Sequence, residues 1–229
     1  MMSNSYPGIA FRGPTAERQR VAGSYSTYGV QAENSDADGA PTPLDVREKS
    51  FVAGVDSFFL ATVTPTGWPY IQHRGGPRGF LHVLDSHTIG FADFAGNRQY
   101  VTAGNIDGDD RVALFLVDYP LRRRLKIFGR ARQCTPDDDP RLAEQLLSLG
   151  DRVIRSRIDR LVTIEVHGFD WNCTSHITPR YDKQRLDEAL ALEREEIAAL
   201  RESIAELEAE NARLHSELGR RAPDADSSR

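Results

Sequence analysis

The stretch Gly67-Trp-Pro-Tyr-Ile-Gln-His-Arg-Gly-Gly-Pro-Arg-Gly-Phe-Leu-His-Val-Leu-Asp85, carried on through Phe91-Ala-Asp-Phe-Ala-Gly-Asn-Arg-Gln-Tyr100, decides the fold of this 229-residue chain. It reads as strand, turn, strand and then the start of a helix. Gly96-Asn-Arg-Gln99 closes it with a flexible glycine, a capping asparagine and an arginine. A helix N-terminus presents unpaired backbone N–H groups that favour anions, so a phosphate held by Asn97, Arg98 and Gln99 is one reading. An ordinary capped turn is the other. Gly75, Gly76 and Gly79 would weaken a strand unless a bulge or a closely approaching backbone needs them.

Outward from this stretch, strand-length runs recur at short intervals. Residues 57–64, 68–73, 79–84, 87–92, 112–118, 125–132 and 161–167 are apolar or alternating and rich in β-branched and aromatic side chains. Pro65-Thr-Gly67 and the basic Pro120-Leu-Arg-Arg-Arg124 are turns. Helices are expected from the Thr42-Pro43 cap to Ala53, from Asn97 to about Gly104, and from the acidic Asp137-Asp-Asp-Pro140 to Leu149. The last strand should leave as a loop, 168–176. Many strands without a βαβ alternation imply an antiparallel barrel with a few helices. Residues 1–41 are rich in Gly, Ser, Pro, Asn and Asp, a composition that suits a flexible arm, with one short helix near 15–23.

From residue 182 the character changes. Leu186, Leu190, Ile197, Leu200, Ile204, Leu207, Asn211, Leu214 and Leu218 recur in steps of three and four, the seam of a coiled coil over 182–219. Branched residues at one seam position, Leu at the other and a single Asn211 favour two parallel strands, with Glu196 and Arg201 flanking and Glu193 interrupting. A solitary amphipathic helix is the competing reading. The tail 220–229 is polar and expected to be disordered.

Composition narrows the function. A formal net charge of −5, from 29 Lys+Arg against 34 Asp+Glu, argues against a general nucleic-acid binder. Lys49, Lys126 and Lys183 are the only lysines, so positive charge is almost all arginine, suited to bidentate phosphate and carboxylate recognition. Cys134 and Cys173 have neither zinc-ligand spacing nor a disulfide framework around them. No apolar run approaches a membrane span and no leader pattern opens the chain, so a cytoplasmic protein without membrane or metal is expected.

From Val55 to Arg132 the chain resembles the pyridoxamine 5′-phosphate oxidase-related flavoproteins, an FMN-binding split β-barrel family. Phe91-Ala-Asp-Phe-Ala-Gly-Asn-Arg-Gln99 is similar to their hairpin-to-helix step, where an Arg-Lys pair holds the FMN phosphate: Arg98 matches and Gln99 departs. Asp110-Arg-Val-Ala-Leu-Phe-Leu116 and Arg124-Leu-Lys-Ile-Phe-Gly-Arg-Ala131 resemble the next two strands, with Arg124 where the oxidases carry a Gln near the flavin. Gln72-His-Arg-Gly-Gly-Pro77 looks more like an uncharacterised flavin-nucleotide-binding branch. The resemblance implies a mainly β fold with helices, a split barrel over residues 42–181, to which the coiled-coil helix read from the repeat is joined.

It further implies FMN as cofactor, held by Arg98 with Asn97 and Gln99, with Phe80 along the ring edge and Trp171 beside the flavin. Arg74 would replace a phosphate-binding Arg that the oxidases carry where this chain has Pro77. Related split barrels take a deazaflavin or haem instead. The oxidases' substrate-binding Arg-x-His is absent from Trp171-Asn-Cys-Thr-Ser-His-Ile-Thr-Pro-Arg180, and their active-site Lys appears as His82. Pyridoxamine phosphate is therefore not carried over as substrate; His73, His82 and His176 are the substrate-contact candidates. Such flavoproteins are dimers with sites at the subunit interface. The expectation is a homodimeric oxidoreductase acting on a small molecule, or a flavin-binding module whose coil is the working part.

Overall fold

Alternation builds the sheet and positions the core. In a computed structural model, which describes residues 4–37, 40–171 and 175–221, β1 (Ser57–Val63) buries Phe58, Leu60 and Thr62 and turns the residues between them outward. β5 (Arg111–Asp118) and β6 (Arg123–Cys134) alternate in the same way. With β2 (Pro69–Gly75), β3 (His82–Val83), β4 (Thr88–Phe94) and β9 (Ile158–Trp171) they make one antiparallel sheet in the order β2-β1-β5-β6-β9-β4-β3. β7 (Ser148–Leu149) and β8 (Arg152–Val153) form a separate small hairpin. Inside the curl, Phe58 stacks on Phe80 at 5.7 Å between centroids and meets Phe91 edge-on at 5.3 Å. Each such burial stabilises the fold by roughly 1.5–3 kcal/mol.

The sheet curls without closing. Arg74 on β2 is ion-paired to Asp93 on β4, although β2 ends the strand order and β4 stands next to its other end. The side-chain pair bridges a seam that the backbone ladder leaves open. This is the split barrel expected from the sequence.

Helix boundaries show where local reading gave way to longer-range bonds. Thr42 does not cap a helix; it is buried, its hydroxyl donating to the His167 carbonyl at 2.5 Å and accepting the Ser5 N–H at 3.3 Å. α4 (Val46–Gly54) begins after Asp45, whose N–H is accepted by Glu48 at 3.2 Å. α5 (Val101–Gly108) begins four residues later than expected. Asn97 Oδ1 accepts the Gln99 N–H in a local turn, and Arg98 and Tyr100 adopt φ of 62° and 53°. Left-handed residues cannot belong to a right-handed helix, so it starts only beyond them. α6 (Pro140–Leu147) is capped by Asp139, which accepts the Leu142 N–H at 2.9 Å.

The composition of the first 41 residues suggested a flexible arm, but residues 4–37 carry three short helices. They are α1 (Tyr6–Ala10), α2 (Pro14–Val21) and α3 (Tyr25–Glu33). Tyr6 is 5 % exposed and stacks on Phe128 at 5.2 Å, while Asn4 donates to the Phe169 carbonyl at 2.7 Å. Gly168 makes room for this: a Cβ there would lie 2.7 Å from Tyr6 Cα. Residues 168–171, expected in a loop, extend β9 instead.

Beyond Pro179 the chain forms a second unit. It is α7 (Lys183–Arg221), one 39-residue helix, about 58 Å long at 1.5 Å per residue. Most of its seam residues stand in solvent, Leu186 at 51 %, Ile204 at 54 % and Leu218 at 66 %, while Leu190 is half-buried. Residues 222–229 of the expected tail, and Cys173, lie outside the described residues. Among the described residues no helix is long and apolar enough to cross a membrane.

Candidate functional site

β2 presents Tyr70, Gln72 and Arg74 on one face, by the two-residue period of a strand. They line an open cleft together with Asp93, Asn97, Arg98, Gln99, Tyr100, Thr102, Asp159 and Arg160. The cleft therefore lies on the open seam, under the N-terminus of α5. A hydrogen-bonded chain spans it: Gln72 Oε1 accepts from the Thr102 hydroxyl at 2.7 Å and from Arg74 at 3.3 Å, and Arg74 pairs with Asp93. Asn105 donates to the Thr62 hydroxyl at 2.9 Å, anchoring α5 on β1.

The charges in the cleft are mixed. Arg74, Arg98 and Arg160 face Asp93 and Asp159, a balance that leaves an excess of one positive charge. Burial raises the pKa of the Asp93 carboxyl, and Arg74 and Arg160 pull it back down. Arg74 Nε is buried with no partner, although its terminal nitrogens are occupied. Arg98 stands on the exposed left-handed turn and makes no ion pair among the described residues. Arg160, opposite Asp93 on β9, lies 4.5 Å over the Tyr100 ring and so steadies the residue from which α5 departs. Tyr100 provides no side-chain cap, leaving the first N–H groups of α5 without that partner.

Of the residues singled out in the sequence, Arg74, Asn97, Arg98 and Gln99 are brought together here. His73 and Phe80 line an adjoining part of the seam with Gly75 and Phe91. His73 is exposed and edge-on to Phe59 at 5.6 Å, and the Phe80 ring is committed to the core. Trp171 is taken up by α4: its indole N–H donates to Glu48 at 2.6 Å, Arg47 lies 4.1 Å over the ring, and Phe51 packs at 4.9 Å. Arg124 sits on the outward side of β6, opposite the side that carries buried Leu125, its Nε buried without a partner. His176 is exposed at φ 63° in the segment before Pro179. Within one chain, neither Trp171, Arg124, His82 nor His176 lines the cleft.

His82 lies instead against α6. Its ring hydrogen-bonds to the Leu146 backbone, its Nε2 is buried unpartnered, and burial lowers its pKa. A lowered pKa in the folded state means that acid protonates the unfolded chain first, so the stability this group contributes is present above pH 6.5 and is lost as pH falls below it. Replacing His82 with glutamine should flatten the fall in melting temperature between pH 7 and 5. An identical fall in both proteins would show that His82 titrates as freely in the fold as in water.

Sequence reasoning missed Tyr70, Gln72, Thr102, Asp159 and Arg160. The period of β2 carried the signal for the first two. Among the described residues no cluster of histidine, cysteine and carboxylate side chains could hold a metal ion.

The model of the pyridoxamine 5′-phosphate oxidase family matches residues 45–164, from α4 to the middle of β9 and including the cleft. No protein of curated function matches the chain. Among solved structures it is similar to HupZ from Group A Streptococcus, at 15 % identity over 60 % of this chain and 100 % of that one, with a TM-score of 0.42. A Clostridium acetobutylicum protein related to general stress protein 26, of the pyridoxinephosphate oxidase family, shares 11 % identity over 58 % and 89 % at a TM-score of 0.41. An FMN-binding protein from Syntrophomonas wolfei shares 13 % over 55 % and 83 %, also at 0.41.

Proposed function

This chain belongs to the pyridoxamine 5′-phosphate oxidase family, and from that premise we propose that it binds FMN at the seam cleft and works as an oxidoreductase on a small organic molecule. The observation that carries the reading is the cleft itself. It gathers Arg98, Arg74 and Arg160, the Asn97 and Gln99 amides and the N-terminus of α5 within the stretch that the family model matches.

The residues present fit a phosphate. Arg98 has no competing ion pair among the described residues, and Arg74 keeps one buried N–H unpartnered. Guanidinium groups suit phosphate because their planar N–H pairs match two oxygens at once. Gln99 would add a neutral amide where the family's pattern carries a second cation, and Asp93 and Asp159 oppose the arginines. A phosphate there would be held by hydrogen-bond geometry more than by net charge. FMN would supply two-electron chemistry at its ring, and the chain's part is to hold and orient it. Trp171 and Arg124 would join such a site only from a second copy, in keeping with a homodimer whose sites lie between subunits.

The test is to reconstitute the purified chain with FMN, reduce it anaerobically with NADH or NADPH, and reoxidise it with an added acceptor. Bleaching and recovery of the flavin bands supports the oxidoreductase reading. Bound flavin that neither nucleotide reduces favours a non-catalytic flavin-binding module. That second reading draws on one observation: none of His73, His82 and His176 lines the cleft, so no imidazole is at hand there to move a proton.

A further inference from the structure

We propose that α7 joins a second copy of this chain as a parallel, in-register two-stranded coiled coil, strongest between Ile197 and Leu218. The inference does not rest on flavin binding. Ile197 is 48 % exposed, Leu200 57 %, Leu207 63 % and Leu214 51 %, with Ile204 and Leu218 in the same row. On a 3.5-residue repeat, Ile197, Ile204, Asn211 and Leu218 occupy one seam position and Leu200, Leu207 and Leu214 the other. Roughly three heptads are covered, the length at which such a pattern is distinctive. A stripe this long, on a helix this polar elsewhere, has more apolar surface than water tolerates cheaply.

Three features choose the partner. β-branched isoleucine at the first position with leucine at the second packs best in two parallel strands. Asn211 would face the partner's Asn211 only when the two helices run parallel and in register, which satisfies both amides; any other arrangement buries an amide against leucine. The flanking charges agree. In a parallel pair Glu196 lies beside the partner's Arg201 and Glu210 beside the partner's His215. An antiparallel pair would set the flanking row Glu196, Glu210 and Glu217 against its own copy, carboxylate to carboxylate. The occupant is therefore the same helix of another copy. Glu193 and Ala189, in or beside the seam, weaken the coil toward its start.

The experiment uses the full chain with Cys134 and Cys173 replaced by serine and one cysteine introduced at a time. Under mild oxidation Leu200→Cys and Leu214→Cys should each give covalent dimers nearly completely, because in-register seam positions face their own copies. Glu202→Cys, on the outer face, should give only traces. Sedimentation should report twice the 25.6 kDa chain mass, and Asn211→Leu should broaden it toward higher oligomers. Dimers that form only when the Leu200→Cys protein is mixed with an Asn211→Cys protein would mean an antiparallel pair and overturn the proposal. So would the absence of cross-links at both seam positions, whatever the protein's total mass.

Discussion

Replacing Arg74 with alanine is expected to destabilise the barrel by about 3 kcal/mol, since removing one partner of a largely buried ion pair leaves the other charge without its hydrogen-bonded counter-charge. The two side chains are 16 % and 12 % exposed, so water screens the pair little. For a domain of this size the loss corresponds to a fall in melting temperature of roughly 6–12 °C. Several groups lose a partner at once: Asp93 loses its ion-pair partner and keeps only Arg160 opposite it on β9, Gln72 loses one of its donors, and the seam loses the bridge from β2 to β4. The deficit should depend on pH. Burial already raises the Asp93 carboxyl, and without Arg74 nothing on β2 opposes it. A raised folded-state pKa makes the penalty full above that pKa and relieves it as pH falls through it, because the folded state then takes up the proton. Arg74→Met combined with Asp93→Leu should recover much of the loss. A melting temperature for Arg74→Ala within about 2 °C of the parent would show that the bridge does not hold the seam.

Replacing Arg98 with alanine should leave stability nearly unchanged and weaken FMN binding about 10- to 100-fold, the range for charge-assisted hydrogen bonds contributing about 1.5–3 kcal/mol. Arg98 stands on an exposed turn, outside the core and without an ion pair among the described residues, so its removal strains nothing. Riboflavin, which lacks the phosphate, should bind the parent and the variant alike. Arg98→Lys should fall between them, keeping the charge and losing the paired N–H geometry. Equal FMN affinity in parent and Arg98→Ala, measured by quenching of flavin fluorescence, would remove Arg98 from the phosphate site.

The barrel was legible because its strands carry the two-residue period in their own letters, and the family resemblance lay in those same strands. What escaped the sequence depends on contacts distant along the chain. Thr42-Pro43 has the form of a cap, yet the Thr42 hydroxyl is drawn to the His167 carbonyl across the fold. The first helices look like a polar arm until Phe128 and Gly168 are seen to make a seat for Tyr6, an arrangement that no local composition encodes.

The site divides in the same way. Arg98, which lines the cleft, could be singled out because its motif is contiguous. Arg160 was missed because β9 was expected to begin at Leu161, after a polar start with no alternation; the longer strand sets Arg160 opposite Asp93. Gln72 was legible in principle, being two residues from Arg74 on the same face. Trp171 shows the opposite limit, since a conspicuous aromatic at the end of a strand proves to be held by Glu48, Arg47 and Phe51 of α4.

The most direct measurement is equilibrium dialysis of the full chain against FMN and, in parallel, against riboflavin, followed by the visible absorption of the retained protein. The account predicts about one FMN per chain and an affinity for FMN roughly tenfold or more above that for riboflavin, the difference being the phosphate held in the cleft. Equal retention of the two flavins, or a colourless protein that retains neither, would contradict it.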